Sequence, residues 1–169
     1  MRNNQPVTGN AYLLREDQSL ISRTDTRGNI TYVNEDFIDI SGFTESELIG
    51  APDNIVSHPD MPVEAFADMW SMLKSGNAWT EMVKNRCKSG DHYWVLANAT
   101  PIRENGATVG YTSVHTAPSQ EQIAQASTAY ARFNEGRAGS LQIRAGQVVR
   151  RGVIGKIASL KKLQIKKGG

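Results

Sequence analysis

The chain carries one cysteine, Cys87, in 169 residues. A single thiol excludes an internal disulfide and any metal or cluster site built from several cysteines, so nothing asks for an oxidising compartment and the cytoplasm is the expected setting. No run of about 18 apolar residues is present, and nothing therefore reads as a bilayer-spanning helix. Met1 to Asn10 is polar and lacks the apolar stretch of a secretory signal. Acid is missing from a whole segment. Residues 137–169 hold nine Lys/Arg and no Asp or Glu, net +9, whereas residues 1–136 hold ten Lys/Arg against seventeen acids, net −7. The overall charge of +2 hides two electrostatically different objects. A basic, acid-free tail suits an anionic membrane face, a nucleic acid or an acidic partner, each lysine near such a membrane contributing about 1 kcal/mol. The length provides one domain plus extensions.

What is present reads as strands, then helices, then strands. Leu20 to Val33 is a hairpin turning at Thr26-Arg27-Gly28-Asn29. Asn34 opens a short helix, Glu35 to Ile40, that Gly42 stops, and Thr44-Glu45-Ser46-Glu47 has the spacing of a capping box. Pro62 suits a first-turn position, and Phe66, Met69, Trp70 and Leu73 recur at helical spacing up to Ser75-Gly76. Trp79 to Lys88, His92 to Arg103 and Thr108 to Thr116 form a three-strand meander around Ser89-Gly90-Asp91 and Glu104-Asn105-Gly106. Gln120 to Glu135, capped by Ser119, is an outgoing helix, and the chain beyond Gly136 is expected to be a loosely ordered extension. The divisions are an N-terminal extension (1–19), the central domain (20–118), the outgoing helix (119–136) and the basic extension (137–169).

Strand alternation assigns faces. Trp79, Glu81, Val83, Asn85 and Cys87 share one face, and Thr80, Met82, Lys84, Arg86 and Lys88 share the other, which is expected to be solvated. On the next strand Tyr93, Val95, Ala97 and Ala99 oppose Trp94, Leu96, Asn98 and Thr100. A row of alanines facing helices means either close backbone approach or a cavity to be filled, and a buried Asn85 amide needs a partner or costs about 1–3 kcal/mol.

The run Asn54-Ile55-Val56-Ser57-His58-Pro59-Asp60-Met61-Pro62 sets an imidazole and a carboxylate ahead of a helix start, where unpaired backbone N–H groups favour an anion. A lone loop histidine is more often a turn or cap residue than a ligand. Cys87 lies on the strand away from this loop, with no charge partner to activate it.

The element order, Thr31-Tyr32-Val33-Asn34, the segment Ser41 to Gly50 and the strand opening Gly90-Asp91-His92-Tyr93-Trp94-Val95 together resemble the PAS sensory domain. His58-Pro59-Asp60-Met61-Pro62 with Ala65 to Trp70, then Lys84-Asn85-Arg86, narrows the resemblance to the PAS module of bacterial aerotaxis (energy-taxis) receptors, across residues 15 to 156. The resemblance implies an α+β fold, a five-stranded antiparallel sheet with short helices on one face, plus a C-terminal helix and basic tail. It implies a non-enzymatic signalling module that holds FAD non-covalently. By position, Asn34, His58, Asp60, Trp79 and Asn85 are the implied flavin-retaining set, with Phe66 and Trp70 lining the pocket. Ser57 stands where the family usually carries a basic residue, so a hydroxyl replaces a charge.

The implied partners are a HAMP and methyl-accepting chemotaxis receptor region, in the same chain or as a separate receptor subunit, and not nucleic acid. A stand-alone sensor subunit is the favoured expectation. The outer sheet face, with Trp94 and Leu96, is expected to meet a partner or a second PAS copy, and the basic tail to meet the cytoplasmic membrane face. Two other readings stand beside this one: a haem-based gas sensor with His58 as axial ligand, and a cofactor-free interaction module. A flavin enzyme is disfavoured, because no substrate-handling acid/base pair or nicotinamide-binding Gly-rich turn is found.

Overall fold

The structure, a computed structural model, describes residues 4–151 and the backbone of Ala158–Ser159. After β1 (Ala11–Tyr12), the first hairpin joins β2 (Ser19–Thr24) to β3 (Ile30–Val33). Its turn is built by Asp25, whose Oδ1 accepts from the Arg27 and Asn29 amides at 2.9 Å each, while Gly28 supplies φ +86°. Helices α1 (Glu35–Ser41) and α2 (Glu45–Leu48), a 3-10 turn (Asp53–Val56) and α3 (Val63–Lys74) follow. The capping box is formed: Thr44 Oγ1 accepts from Glu47 N at 3.2 Å and Glu47 returns a carboxylate to Thr44 N at 2.9 Å.

The meander is β4 (Trp79–Arg86), β5 (His92–Glu104) and β6 (Ala107–Thr116). Antiparallel pairing runs β4-β5-β6-β2-β3, the expected five-stranded sheet, and β1 adds a short parallel pairing beside the start of β5. The register sets Trp79 opposite Ala99, Glu81 opposite Ala97 and Asn85 opposite Tyr93, then Ala97 opposite His115 and Ala99 opposite Ser113. The helices cover this inner face. Phe37, Ile40, Leu48, Val56, Met61 and Ala65 pack there with Leu20, Ile30, Val83 and Val95 in one cluster.

The other face of β4 is not the solvated surface that alternation suggests. Met82 and Arg86 are buried, because α4 (Gln120–Asn134) folds back across the sheet and the N-terminal arm runs past its end. The Tyr130 hydroxyl donates to Met82 O at 2.6 Å, its ring stacks on Trp94 with centroids 6.1 Å apart, and Arg86 Nε donates to Pro6 O. Trp94, expected with Leu96 to meet a partner, is thus stacked on Tyr130 of this chain's own helix, and Leu96 packs against the core cluster. Periodicity shows which residues share a face. It does not show what covers that face.

The segment after Gly136 also differs from expectation. β7 (Leu141–Arg144) and β8 (Gln147–Arg150) pair as a hairpin, with β9 (Ala158–Ser159) beside β8, and Val148 joins the main core with Leu141 and Ile143 against it. Ala145 and Gly146 form a two-residue turn with φ 50° and 72°, the left-handed geometry that fits strand twist. The apolar pair Val153-Ile154 and the lysines from Lys156 onward lie outside the described residues. No helix among the described residues is long and apolar enough to cross a membrane.

Replacing Tyr130 with Phe removes one buried hydrogen bond and keeps the ring stack. Tyr130→Phe is expected to lower the unfolding free energy by about 1 kcal/mol in urea titrations, with the m-value unchanged.

Candidate functional site

The inner sheet face is too sparsely filled to close against the helices. Ala97, Ala99, Ser22 and Ser113 project short side chains toward α3 and the 3-10 turn, and a cavity of about 350 Å³ results. That volume lies within the roughly 300–1,000 Å³ of small-molecule sites. Its walls are Trp79, Val83 and Asn85 from β4, Phe66, Met69 and Trp70 from α3, Phe37 from α1, Ile30 from β3, and Asp53, Asn54, Val56 and Ser57 from the turn. Trp70 is held edge-on to Tyr111, 5.4 Å between centroids, and Trp79 donates its indole N–H to Asp68 Oδ2 at 2.8 Å. The aromatic walls are therefore fixed in orientation.

Several polar atoms around this space have no partner. Asn85 Nδ2, Asn54 Oδ1, Thr24 Oγ1 and His115 Nδ1 are buried without a completed hydrogen bond, although Asn85 sits beside the Tyr93 hydroxyl. Orphan polar atoms are rare in native interiors, and these four, spread over the sheet and the 3-10 turn that line one cavity, are groups that water or a bound molecule would complete. Burial holds the His115 imidazole down to about 4, so it is neutral at pH 7 and offers one donor and one acceptor nitrogen. Asp53 is pushed up to about 6 by burial, against backbone hydrogen bonds that pull it down, and among the described residues no cation borders the cavity to compensate.

Four of the seven residues expected from the sequence meet at this cavity: Phe66, Trp70, Trp79 and Asn85. The other three stand behind its walls. Asn34 is the N-cap of α1, its Oδ1 accepting from Phe37 N at 3.1 Å and Ile21 N at 3.0 Å and its Nδ2 donating to Ser19 O at 2.7 Å, so its polar atoms are committed to the scaffold. His58 is 2% exposed, and its Nδ1 accepts from Asp60 N at 3.0 Å, the turn-making role that competed with the ligand role. Burial, then the Lys84 charge, holds His58 down to about 4. Asp60 faces solvent, its side chain 64% exposed, in an ion pair with Lys84 at 2.7 Å. Burial raises its pKa, but the hydrogen bond and charge of Lys84 outweigh that and hold it below the usual range.

These three residues place the cavity wall. Ser57 pairs its backbone with Asn85, Lys84 N donates to Met61 Sδ, and Asn134 of α4 donates to Asp60 O at 2.6 Å, so the loop is clipped to β4 on both sides of His58. From the N-terminal arm, Asn4 Nδ2 reaches the carbonyls of Asn54, Ile55 and Ser57 at 2.9–3.1 Å. Sequence reasoning missed His115, Asn54 and Asp53. The signal for His115 was its place two residues after Ser113 on the alternating strand, but only the pairing of His115 with Ala97 brings it to the cavity. Cys87 lies elsewhere, its Sγ donating to Ile40 O at 3.3 Å, and burial, with Asp91 adding to it, pushes the thiol up to about 11. No thiol borders the cavity.

Comparison with known proteins bears on the same region. The pattern of the PAS fold family matches residues 30–115. The aerotaxis receptor of Escherichia coli K12 is 49% identical over 147 residues, which is 87% of this chain and 29% of that receptor. The nitrogen fixation regulatory protein of Klebsiella pneumoniae is 30% identical over 82 residues, 48% of this chain and 17% of that protein. The chain thus spans under a third of the length of either relative. Among solved structures, a light-oxygen-voltage domain studied with a flavin analogue superposes with TM-score 0.58 at 21% identity, over 70% of this chain and 88% of that one. The dark state of the blue-light photoreceptor Aureochrome1 LOV superposes with TM-score 0.59 at 18% identity, over 68% and 86%. At these identities the superpositions establish the fold.

The buried Asp53 carboxyl has a measurable cost. Between pH 3.8 and about 6 the folded state keeps a proton that the unfolded chain has released, so this residue's contribution falls as pH rises through that window and the penalty is complete above it. Asp53→Asn is expected to raise stability at pH 7 by about 1–3 kcal/mol, with the gain vanishing toward pH 4 in urea titrations across that range.

Proposed function

The chain belongs to the PAS fold family, and we propose that it is a redox-responsive sensory module that holds FAD non-covalently and relays its state to a chemotaxis receptor of the methyl-accepting type. The observation that carries this reading is the aromatic-walled cavity with four unsatisfied polar atoms on its lining. Trp79, Trp70 and Phe66 supply flat apolar walls for the isoalloxazine ring. Asn85 and Thr24 supply donors, Asn54 an acceptor, and neutral His115 one of each. A bound flavin would supply a redox centre whose ring nitrogens change proton occupancy and charge on reduction.

The chain's own residues then do the sensing. Asn85 and His115 must re-pair when the groups they face change, and the domain shifts between two arrangements only insofar as these residues bind the two forms differently. Asn34, His58 and Asp60 take part as supports: Asn34 fixes β2 to α1, and the His58-Asp60 turn holds Ser57 against Asn85. The chain's one thiol, Cys87, lies off the cavity lining, which supports non-covalent rather than cysteinyl retention. The haem reading loses its ligand at His58, whose ring lies off the cavity lining. The similarity to the aerotaxis receptor supports a HAMP and methyl-accepting region as partner, in cis or in a separate subunit, with a cytoplasmic location at the inner face of the cell membrane. The basic extension is the segment offered to that membrane.

An absorption spectrum of the purified protein tests the cofactor. A two-band flavin envelope that bleaches with dithionite is expected, and a single Soret band or no visible absorbance would sink the reading. Asn85→Leu is expected to weaken FAD by about tenfold or more with an unchanged far-UV spectrum, since it strands the groups that Asn85 satisfies.

For the membrane contact, the informative truncation removes residues 152–169 and spares the packed β7–β8 hairpin. Flotation with anionic liposomes is expected for the full chain and lost on truncation, and equal flotation of the two would remove the membrane role.

A further inference from the structure

One carboxylate joins the cavity to the C-terminal hairpin. Asp68, on α3 between the cavity-lining residues Ala67 and Met69, accepts Trp79 Nε1–H on Oδ2 at 2.8 Å. The same Oδ2 accepts Gly146 N–H at 2.6 Å, and Oδ1 accepts Ala145 N–H at 2.8 Å. Asp68 thus holds a cavity wall with one bond and both residues of the β7–β8 turn with two more. Charge-assisted bonds of this kind are about twice as strong as neutral ones, and here the indole and the Gly146 amide converge on the same oxygen.

The turn is also pressed on the strand that carries Trp79. A Cβ at Gly146 would stand 2.2 Å from Thr80 O, so only glycine allows this seating. Thr80 follows Trp79 directly, and the turn therefore touches the cavity strand at the backbone as well as through Asp68. If the indole moves on its strand, Asp68 must follow it or release it, and either changes what the turn amides meet. Beyond the hairpin, β8 ends at Arg150 and the chain continues into its acid-free basic stretch.

We propose that the β7–β8 hairpin is the output element of this domain, and that Asp68 is the positioning residue through which the placement of Trp79 in the cavity wall sets how firmly the hairpin tip is seated on β4. This rests on the reading that the cavity binds a flavin. The coupling is reciprocal: if cavity occupancy biases the hairpin, unseating the hairpin alters affinity at the cavity by the same factor. A hairpin that merely packs against the domain would come away with no effect on the cavity.

The test uses the 169-residue chain and its Gly146→Val variant, which unseats the tip by collision with Thr80 O and leaves every cavity residue and Asp68 intact. Hydrogen exchange is expected to accelerate across residues 141–150, and the FAD dissociation constant, read by fluorescence titration, to shift by about fivefold or more. In the wild type, dithionite reduction of the bound FAD is expected to change exchange across the same residues. Should Gly146→Val fail to fold, the isosteric Asp68→Asn, which leaves one acceptor oxygen for three donors, is expected to give the same pair of effects. An accelerated hairpin with unchanged FAD affinity overturns the proposal. If the wild type binds no FAD, the flavin reading fails separately, and the coupling is then read in the ligand-free protein by the Trp79 indole N–H resonance. A shift of that resonance in Gly146→Val sustains the coupling, and an unmoved one overturns it.

Discussion

A sheet that carries Ala97, Ala99, Ser22 and Ser113 at the middle of its inner face cannot close on its helices without leaving a hole, and the rest of the domain is arranged around that hole. Protein interiors are packed as densely as organic crystals, so an internal space of this size forfeits dispersion contacts that its lining would otherwise make. The walls stay open because each is held from behind. Trp79 is tied to Asp68, Trp70 leans on Tyr111, and the Asn54–Ser57 turn is gathered by Asn4 and paired to Asn85. Collapse would break bonds made outside the cavity.

Stability is accordingly supplied from elsewhere. The outer sheet face, which in a bare sheet would be half wet, gains α4, with Tyr130 stacked on Trp94 and bonded to Met82 O. The N-terminal arm adds Thr8 N–H to Gly90 O and the β1 pairing, and Asn34 locks β2 to the start of α1. Against these, the cavity keeps a carboxyl at Asp53 that burial disfavours and an imidazole at His115 that burial keeps neutral. Such concentrations of strained electrostatics and unpaired polar atoms are where stability has been set against binding.

The division of charge has a matching logic. Among the described residues no cation borders the cavity, and Ser57, where a basic residue was the family expectation, is buried with its backbone paired to Asn85. The walls therefore suit an uncharged aromatic ring better than an anionic group. The acid-free excess of basic residues begins at Arg137, and six of its nine members follow Arg150, past the hairpin that Asp68 anchors.

Local pattern was enough for the order of strands and α-helices between Leu20 and Glu135 and for the two faces of β4 and β5, because alternation with period two and helical spacing are local properties of the chain. Alternation set Trp79 and Asn85 on one strand face and helical spacing set Phe66 near Trp70, but only the family resemblance joined the four at one pocket, and the alanines signalled either a close approach or a space. Tertiary structure alone decided which of those it was. Pairing register carried His115 to Ala97, and chain reversal put α4 over a face that looked solvated. The same long-range packing set Asn34, His58 and Asp60 off the cavity lining, with their polar atoms bonded within the protein. It also drew a basic, seemingly loose segment into a hairpin held by Asp68, since hydrogen bonds between residues 77 and 78 positions apart leave no trace in local pattern.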